Sequence, residues 1–530
     1  MDAPAWPPSL SPSDQHTLLD LASDYALSHG LVVRPFPSDP ADPSSISHTS
    51  AIHAPYALYP SPFPRDLFDQ ARELQPLYNE LYARVTGDDE FLEEVVGGAV
   101  AKVDEFQGRL YEIWKAVKKE GVRQPLSLGL FRSDYLLHSP PSSPSSLSIK
   151  QVEFNTISSS FGVLSTRVTA LHRYLLLSGA YPSDPRLSLP SLPENGALEG
   201  LAAGLAAAHK AYGREEAVVL MVTQDNERNA FDQRPLEYEL IEKHGIRTIR
   251  LPLSVLSPLL SLAPPTSPSS PFPEHALLLT LPTSTVPIEI SLVYYRTAYA
   301  PTDYTPSSSR DWDTRLLVER SLAVKCPSVA MQLAGSKKVQ QVLSDPAQLA
   351  RFFPSSEPGA SAAMGKLRTS FTDLYPLDDS PLGAEALRLA QTEPERFVLK
   401  PQREGGGNNI YRADIPPFLA KLAAEDEAKP AGEAKGREGY ILMSLIEPPR
   451  GREQVLVKAG ERDGRRAEVV SELGVYGVVL LREGEKRGDK PDVLVNETVG
   501  HLLRTKDTTS DEGGVAVGFS VIDSPLLVEA

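Results

Sequence analysis

The chain of 530 residues carries 41% hydrophobic and 23% charged residues and a formal net charge of -16. That length exceeds a single ordinary core and implies about two to four packed units, while the composition excludes general disorder. The acidic balance excludes long-range attraction to nucleic acid or to an anionic membrane, so an anionic ligand requires a local basic pocket.

The amino terminus, MDAPAWPPSLSPSD, has no basic stretch followed by an apolar one, and no segment approaches the ~20 apolar residues of a membrane span. Cys326 is the only cysteine, which rules out an internal disulfide or a Cys-x-x-Cys pair. A cytoplasmic protein without membrane contact is expected. Pro and Ser gather at residues 35–64, 139–146 (SPPSSPSS) and 253–273, which read as loops or insertions that pack little. Residues 67–84 read as helix, kinked or restarted at Pro76. In the next stretch Leu92, Val96, Ala99, Val103, Phe106, Leu110 and Ile113 recur every three or four residues, which predicts a helix with one inward face and a helical region over 65–120.

Short β-branched runs follow at 151–154 (QVEF), 217–223 (AVVLMVT), 246–251 (IRTIRL), 290–295, 397–399 and 474–481, with helical stretches between several of them, so the fold class is α/β. AVVLMVT, a helical segment through Glu239 and Ile241, and IRTIRL form a β-α-β unit. It opens a small domain over about 215–318, between core parts at 1–214 and 319–530.

Three clusters could carry chemistry. In Gln151-Val152-Glu153-Phe154-Asn155-Thr156, Glu153 and Asn155 share one strand face and offer hard oxygen donors suited to Mg2+, although an amphipathic strand with a wet polar side explains a bare Glu-x-Asn as readily. The run FVLKPQREGGGNN from Phe397 ends a short strand in Lys400 and enters a triple-glycine loop. Its backbone N–H groups could converge on phosphate with Glu404 nearby for a metal; it is neither a Walker A loop nor Gly-x-Gly-x-x-Gly, and a mobile turn is the plain alternative. In HLLRTK from His501, Arg504 and Lys506 project to one side, and the flexible Gly513–Gly518 run behind them could close over a ligand; a solvated basic strand fits nearly as well. Arg132, Arg296, Lys337 and Lys338 are further basic candidates. Cys326, His172 and His501 lack any nucleophile or metal-ligand signature and read as structural.

RSDY from Arg132, QVEFNTISSSFG from Gln151, ERNAFDQR from Glu227, CPSVAMQLAGSKKVQQ from Cys326, LKPQREGGGNNIY from Leu399, YILMSLIEP from Tyr440, SELGVYG from Ser471 and VGHLLRTK with GGVAVG stand in one order over roughly residues 65–525. Together they resemble the eukaryotic-type glutathione synthetases. The resemblance implies an ATP-grasp fold with a mixed core sheet, a lid at about 395–465, an inserted substrate-binding parallel sheet at 215–318 and a glycine-rich loop at 513–518. It implies a homodimer that joins γ-glutamylcysteine to glycine through an acyl phosphate, with ATP as co-substrate and Mg2+ as cofactor.

By the same resemblance Glu153, Asn155 and Glu404 would hold the metal, and Arg132, Lys337, Lys400 and Arg504 would serve catalysis. ATP would meet Glu153, Lys337, Lys400, Pro401, Gln402, Arg403, Glu404, Gly405, Gly406, Gly407, Asn408, Asn409, Tyr411, Met443, Ser444, Leu445, Ile446, Glu472, Lys506 and Glu512. Peptide or glycine would meet Arg132, Ile157, Ser158, Ser159, Ser160, Glu227, Arg228, Asn229, Gln233, Arg296, Thr297, Ala298, Tyr299, Arg504, Val515 and Ala516. Thr297-Ala298 stands where many members have Asp-Gly, and Ser444-Leu445 replaces a Glu-Lys pair. A ligase using β-alanine or another amine, and a non-catalytic scaffold of the same fold, are the alternatives; Val515-Ala516 resembles the glycine-using form.

Overall fold

The computed structural model describes residues 5–529 apart from positions 40, 141–142, 144–145, 266–269, 307, 405, 430–432, 485–489, 511–513, 516–517 and 519. Thirteen strands join in one mixed sheet. Its centre is the strand Leu126–His138, which pairs antiparallel along one edge with Gly464–Arg482. The other edge is shared: Ser148–Asn155 pairs antiparallel with Arg132 to His138, and Val324–Cys326 pairs in parallel at Ser127. Beyond Gly464–Arg482 lie Asp492–Asp507 and then Ser520–Asp523, both antiparallel to their neighbours.

From Val324–Cys326 the sheet continues in parallel through Ile288–Tyr295, Val218–Thr223 and Thr248–Pro252. The stretch 215–318 thus has the β-α-β order read from sequence, with the helix Ala230–His244 as the crossover, and its strands run on into the main sheet. All six residues of Val218–Thr223 are buried, which is why that run is apolar throughout rather than alternating.

Side-chain alternation divides the core into two layers. On Leu126–His138, Leu126, Leu128 and Leu130 pack on one side with the helices Gly162–Leu177 and Ala197–Tyr212. Phe131, Tyr135 and Leu137 pack on the other with Arg65–Thr86 and Glu105–Glu120. Phe154 stacks on Tyr82 at 4.0 Å between centroids and meets Phe131 edge-on at 5.1 Å, which anchors one face of Ser148–Asn155 and leaves the other for the site.

The helix Arg65–Thr86 runs unbroken through Pro76, contrary to the expected kink or restart. Proline removes the N–H that would reach the Arg72 carbonyl, and the Thr498 hydroxyl on the facing strand donates there instead at 3.1 Å. The periodic stretch after it is not one helix either. A π-helical segment, Glu93–Val100, shifts the phase, and the extended Asp104 starts a new helix, Glu105–Glu120, by accepting the Gln107 N–H at 2.9 Å. Leu92, Val96, Phe106, Leu110 and Ile113 are buried as read, while Ala99 and Val103 are only half-buried. Gly97 in the π segment is required by a close approach, since a Cβ there would sit 2.3 Å from the Tyr111 ring.

The Pro-rich segment 35–64 packs more than its composition suggested. Tyr56, Ala57, Leu58, Tyr59 and Phe63 are fully buried, Tyr56–Ala57 joins the large sheet, and Ser61–Pro64 pairs in parallel with Pro525–Val528. Each buried aromatic contributes about 1.5–3 kcal/mol, which outweighs an N–H missing from a two-stranded ribbon.

A separate four-stranded antiparallel sheet, ordered Leu374–Tyr375, Tyr440–Ser444, Phe397–Pro401, Ile410–Tyr411, has its own core beneath the helices Pro381–Thr392 and Ile415–Glu427. Within 395–465, the strands Phe397–Pro401, Ile410–Tyr411 and Tyr440–Ser444 belong to this small sheet, whereas Glu453–Val457 pairs in the large one. No helix among the described residues is long and apolar enough to cross a membrane.

Candidate active site

A cleft of about 800 Å³ opens between the small sheet and the large one, within the usual size for a small-molecule site. Its floor comes from neighbouring strands. Arg132 and Asp134 are two apart on Leu126–His138 and so share a face. The Arg132 guanidinium grips Asp134 with two bonds, Nε to Oδ1 at 2.6 Å and Nη2 to Oδ2 at 2.8 Å, and its Nη1 donates to the Ser160 carbonyl at 3.2 Å. Arg504, from Asp492–Asp507, donates to Asp134 Oδ2 at 2.9 Å and to Glu472. Asn155 donates both amide hydrogens inward, to Asp134 Oδ2 at 3.0 Å and to the Arg132 carbonyl at 3.2 Å. Its oxygen is therefore the atom left for a ligand.

Three segments meet at Lys337, the first residue of the helix Lys337–Leu343, whose start is capped by the Ser336 hydroxyl. The ammonium donates to Glu153 Oε2 at 2.9 Å and to Glu404 Oε1 at 3.0 Å. Lys400, at the end of Phe397–Pro401, donates to the Val152 carbonyl at 2.9 Å. Burial opposes ionisation of Glu153, yet Lys337 and Lys400 beside it hold that carboxyl well below the usual range. Glu404 is less compensated: burial pushes its carboxyl up, Lys337 offsets only part, and Glu153 repels it. Burial also pushes Glu472 up against the pull of Arg504, and pushes Lys400 below its ordinary value. Two carboxylates and an amide oxygen form a donor set of the kind Mg2+ takes, and a buried carboxyl short of positive charge is a place where a cation is favoured.

Most of the residues singled out from sequence line this cleft. Arg132, Glu153, Asn155, Ile157, Ser158, Ser159, Ser160, Tyr299, Lys337, Lys400, Arg403, Glu404, Gly406, Asn408, Asn409, Tyr411, Met443, Ser444, Leu445, Ile446, Glu472, Arg504, Lys506 and Val515 do so. Gly407 is in the left-handed region at φ 73°, as the glycine loop requires. Arg403 also reaches back to Asp104, and Gln402 turns inward to accept the Lys338 N–H at 3.1 Å, so Gln402 and Pro401 are not lining residues. Gly405, Glu512, Gly513, Ala516 and Val517 lie outside the described residues.

The remaining residues sit behind the wall. Arg296 donates to the Ser160 hydroxyl and to Asp232, both at 2.9 Å. Thr297 and Ala298 are buried, and Ala298 adopts the left-handed φ of 68° for which glycine is favoured. Glu227 accepts the Asn229 N–H and the Gln233 amide, both at 2.7 Å. Arg228 turns away: it donates to the Arg34 and Pro35 carbonyls and stands over Phe36 at 3.7 Å. Cys326 is buried with its thiol pKa pushed up by that burial, and His172 is locked between Ser524 and the Ala57 carbonyl.

Two residues that organise the site were not singled out from sequence. Asp134 lies in the RSDY run, and the alternation that paired Glu153 with Asn155 would have paired it with Arg132. Asp232 accepts the backbone N–H groups of Phe161, Val163 and Leu164 from 2.7 to 3.3 Å, capping the start of Gly162–Leu177 from another element. No local pattern announces that contact.

A family model described as eukaryotic glutathione synthase, ATP binding domain, matches residues 12–527. Glutathione synthetase of Rattus norvegicus is 39% identical over 527 residues, covering 99% of both chains. The Homo sapiens protein is 38% identical, with 97% of both chains covered, and the Dictyostelium discoideum protein is 36% identical over 95% of this chain and 97% of its own. Among solved structures, a glutathione synthetase-like effector from Globodera pallida shares the fold at a TM-score of 0.72 and 23% identity, over 99% of this chain and 100% of that one.

Proposed function

The chain belongs to the eukaryotic glutathione synthase family, and from that premise we propose that it joins γ-glutamylcysteine to glycine in an ATP- and Mg2+-dependent ligation of the ATP-grasp type. The observation that carries the reading is the junction at Lys337, where carboxylates from two distant segments share one ammonium at 2.9 and 3.0 Å on the wall of a single cleft. A nucleotide triphosphate needs such a meeting of lysines, arginines and metal-binding oxygens.

The cysteinyl carboxylate of γ-glutamylcysteine attacks the γ-phosphorus, ADP leaves, and the glycine amine then displaces phosphate from the acyl carbon. Glu153, Asn155 and Glu404 would hold Mg2+, which supplies positive charge to the phosphates. Lys337 and Lys400 add charge at the same end, and Arg132 and Arg504 hold the attacking carboxylate in line. No protein nucleophile is used, so alignment and charge are what this chain contributes. Arg403, Gly406, Asn408 and Asn409 line the cleft beside Glu404, and in this reading they would help keep out water that would hydrolyse the acyl phosphate.

A homodimer is part of this proposal, and an exposed apolar surface supports it. Leu21 and Leu27, Tyr174 and Leu177, and Tyr238 and Ile241 are exposed on the three helices Pro12–Ser28, Gly162–Leu177 and Ala230–His244, which pack side by side. Sedimentation equilibrium giving a monomer at micromolar concentration would count against the dimer. A lone buried thiol supports a cytoplasmic setting. The central test is ADP release measured with each component omitted in turn. Turnover is expected only when γ-glutamylcysteine, glycine, ATP and Mg2+ are all present, and no turnover with the full set removes the reading.

A further inference from the structure

Asp134 is fully buried just behind the cleft wall, and its carboxylate collects bonds from residues on three strands. Arg132 lies on its own strand, Asn155 on Ser148–Asn155 and Arg504 on Asp492–Asp507. Three consequences follow from that geometry. The bidentate grip fixes the plane of the Arg132 guanidinium, with the Ser160 carbonyl taking a third of its five N–H donors, so two remain for a ligand. The shared oxygen holds Arg504 beside Arg132, where two uncompensated guanidinium groups would repel. The acceptors facing Asn155 hold its NH2 group inward, so that its oxygen is presented outward.

We propose that Asp134 is a positioning residue for the ligation: one carboxylate sets the two arginines that grip substrate and turns the Asn155 oxygen toward the metal-binding carboxylates. This rests on the ligase reading above. It differs from a merely structural role in predicting a change of metal affinity. An amide at position 134 has one oxygen where the carboxylate has two, so its NH2 must face either Arg132 Nε at the Oδ1 place or the three donors at the Oδ2 place. In the first case Arg132 loses its bidentate grip; in the second Asn155 turns over and a donor replaces the oxygen in the cleft.

The experiment uses the full chain with the substitution Asp134→Asn and titrates Mn2+ calorimetrically in the presence of ADP, without γ-glutamylcysteine or glycine, so the readout is independent of turnover. Mn2+ binding is expected to weaken by about 10–100-fold, the usual effect of losing a residue that orients a ligand. The KM for γ-glutamylcysteine should rise at saturating Mg2+. A reciprocal swap, Asp134→Asn with Asn155→Asp, sets donor against acceptor again at the contact between the two residues, and its Mn2+ affinity should differ from that of Asn155→Asp alone, which opposes two carboxylates there, by being at least about 3-fold tighter. If Asp134→Asn does not fold, the comparison of the swap with Asn155→Asp decides. Unchanged Mn2+ affinity together with an unchanged KM for γ-glutamylcysteine in Asp134→Asn, or a swap no better than Asn155→Asp, overturns the proposal. An unaltered chain that releases no ADP with the full substrate set would remove the ligase reading instead, while the Mn2+ titrations still report on Asp134.

Discussion

Replacing Lys337 by methionine keeps the length of the side chain and removes the ammonium that Glu153 and Glu404 share. The lysine side chain is 5% exposed and the two carboxylates 24% and 23%, so the cluster is largely dry. At an effective dielectric of about 20, each contact is worth about 4 kcal/mol gross, and the desolvation of Lys337 offsets much of it. Removing one partner of a buried pair typically costs 3–5 kcal/mol; with carboxylates about a quarter exposed, a loss of about 2–4 kcal/mol is expected. The pH dependence has a definite sign. Burial already holds Glu404 above its ordinary value against the pull of Lys337, and the variant raises it further. A carboxyl whose folded pKa exceeds its unfolded one contributes stability that is complete below the unfolded pKa and lost as pH rises through the folded one. The deficit in denaturant unfolding, measured against the unaltered chain, should therefore be smallest in acid and grow toward neutral and basic pH. Activity falls for a separate reason: a lost cation at the phosphates costs about 2.7–4 kcal/mol, or about 10²–10³ in kcat/KM for ATP. The assay is coupled ADP release at saturating γ-glutamylcysteine and glycine. A variant within about 3-fold of the unaltered kcat/KM, or a stability deficit that shrinks as pH rises, refutes the reasoning.

Glu404→Gln retains an oxygen for Lys337 but loses the charge a metal needs, so ADP release should fall at least about 10²-fold while the unfolding midpoint does not drop; unchanged turnover would remove Glu404 from the site. Gly335→Ala places a Cβ 2.2 Å from the Thr156 Oγ1 and 3.1 Å from its Cβ. The turn that sets Lys337 against Glu153 must then shift, at about 1–3 kcal/mol, and partial recovery of activity is expected when Thr156→Ala is added. Asp523 is buried among the Ser61 and Thr505 hydroxyls, with no cation bonded to it among the described residues, and burial pushes its carboxyl up to about 7. Its stabilising effect is complete below its unfolded value near 3.8 and lost as pH rises through about 7. Asp523→Asn should consequently flatten the loss of stability between pH 5 and 8, by at most about 3 kcal/mol, and an unchanged pH profile would contradict the assignment.

Residues whose role depends on local pattern were legible in the sequence. Strand alternation placed Glu153 and Asn155 on one face, and the lysine-to-glycine transition after Leu399 marked a phosphate-sized turn. The fold class followed from short apolar runs between helical stretches, because a sheet buried on both faces leaves that signature. Features supplied by a distant partner were not legible. Pro76 reads as a break, since the hydroxyl that spares the helix is 422 positions later in the chain, at Thr498. A period of three or four residues does not register a π turn, so the division at Asp104 was hidden until Tyr111 was seen against Gly97. Tyr56, Tyr59 and Phe63 were obscured by the prolines among them, although aromatic burial decides their place. Arg228 illustrates the converse: its neighbour Glu227 bonds Gln233, and only the position of Phe36 shows that the arginine side chain faces elsewhere.

The polar contacts that tie the small sheet to the large one begin beside the charged residues of the cleft. Arg403 bonds Asp104, Gln402 accepts the Lys338 N–H, and Glu404 meets Lys337. At the far end of the small sheet, Ser139 N–H donates to the Glu447 carbonyl at 2.8 Å, and the Glu447 N–H donates to His138 Nδ1 at 3.1 Å. Gln402 and Glu404 thus face two consecutive residues at the start of one helix, while Arg403 between them meets the residue that caps another. Withdrawing the segment after Pro401 would part Glu404 from Lys337 and leave Glu153 as the remaining carboxylate on that ammonium. On the ligase reading proposed above, the groups that would meet the phosphates are therefore gathered only while this segment stays against the helix.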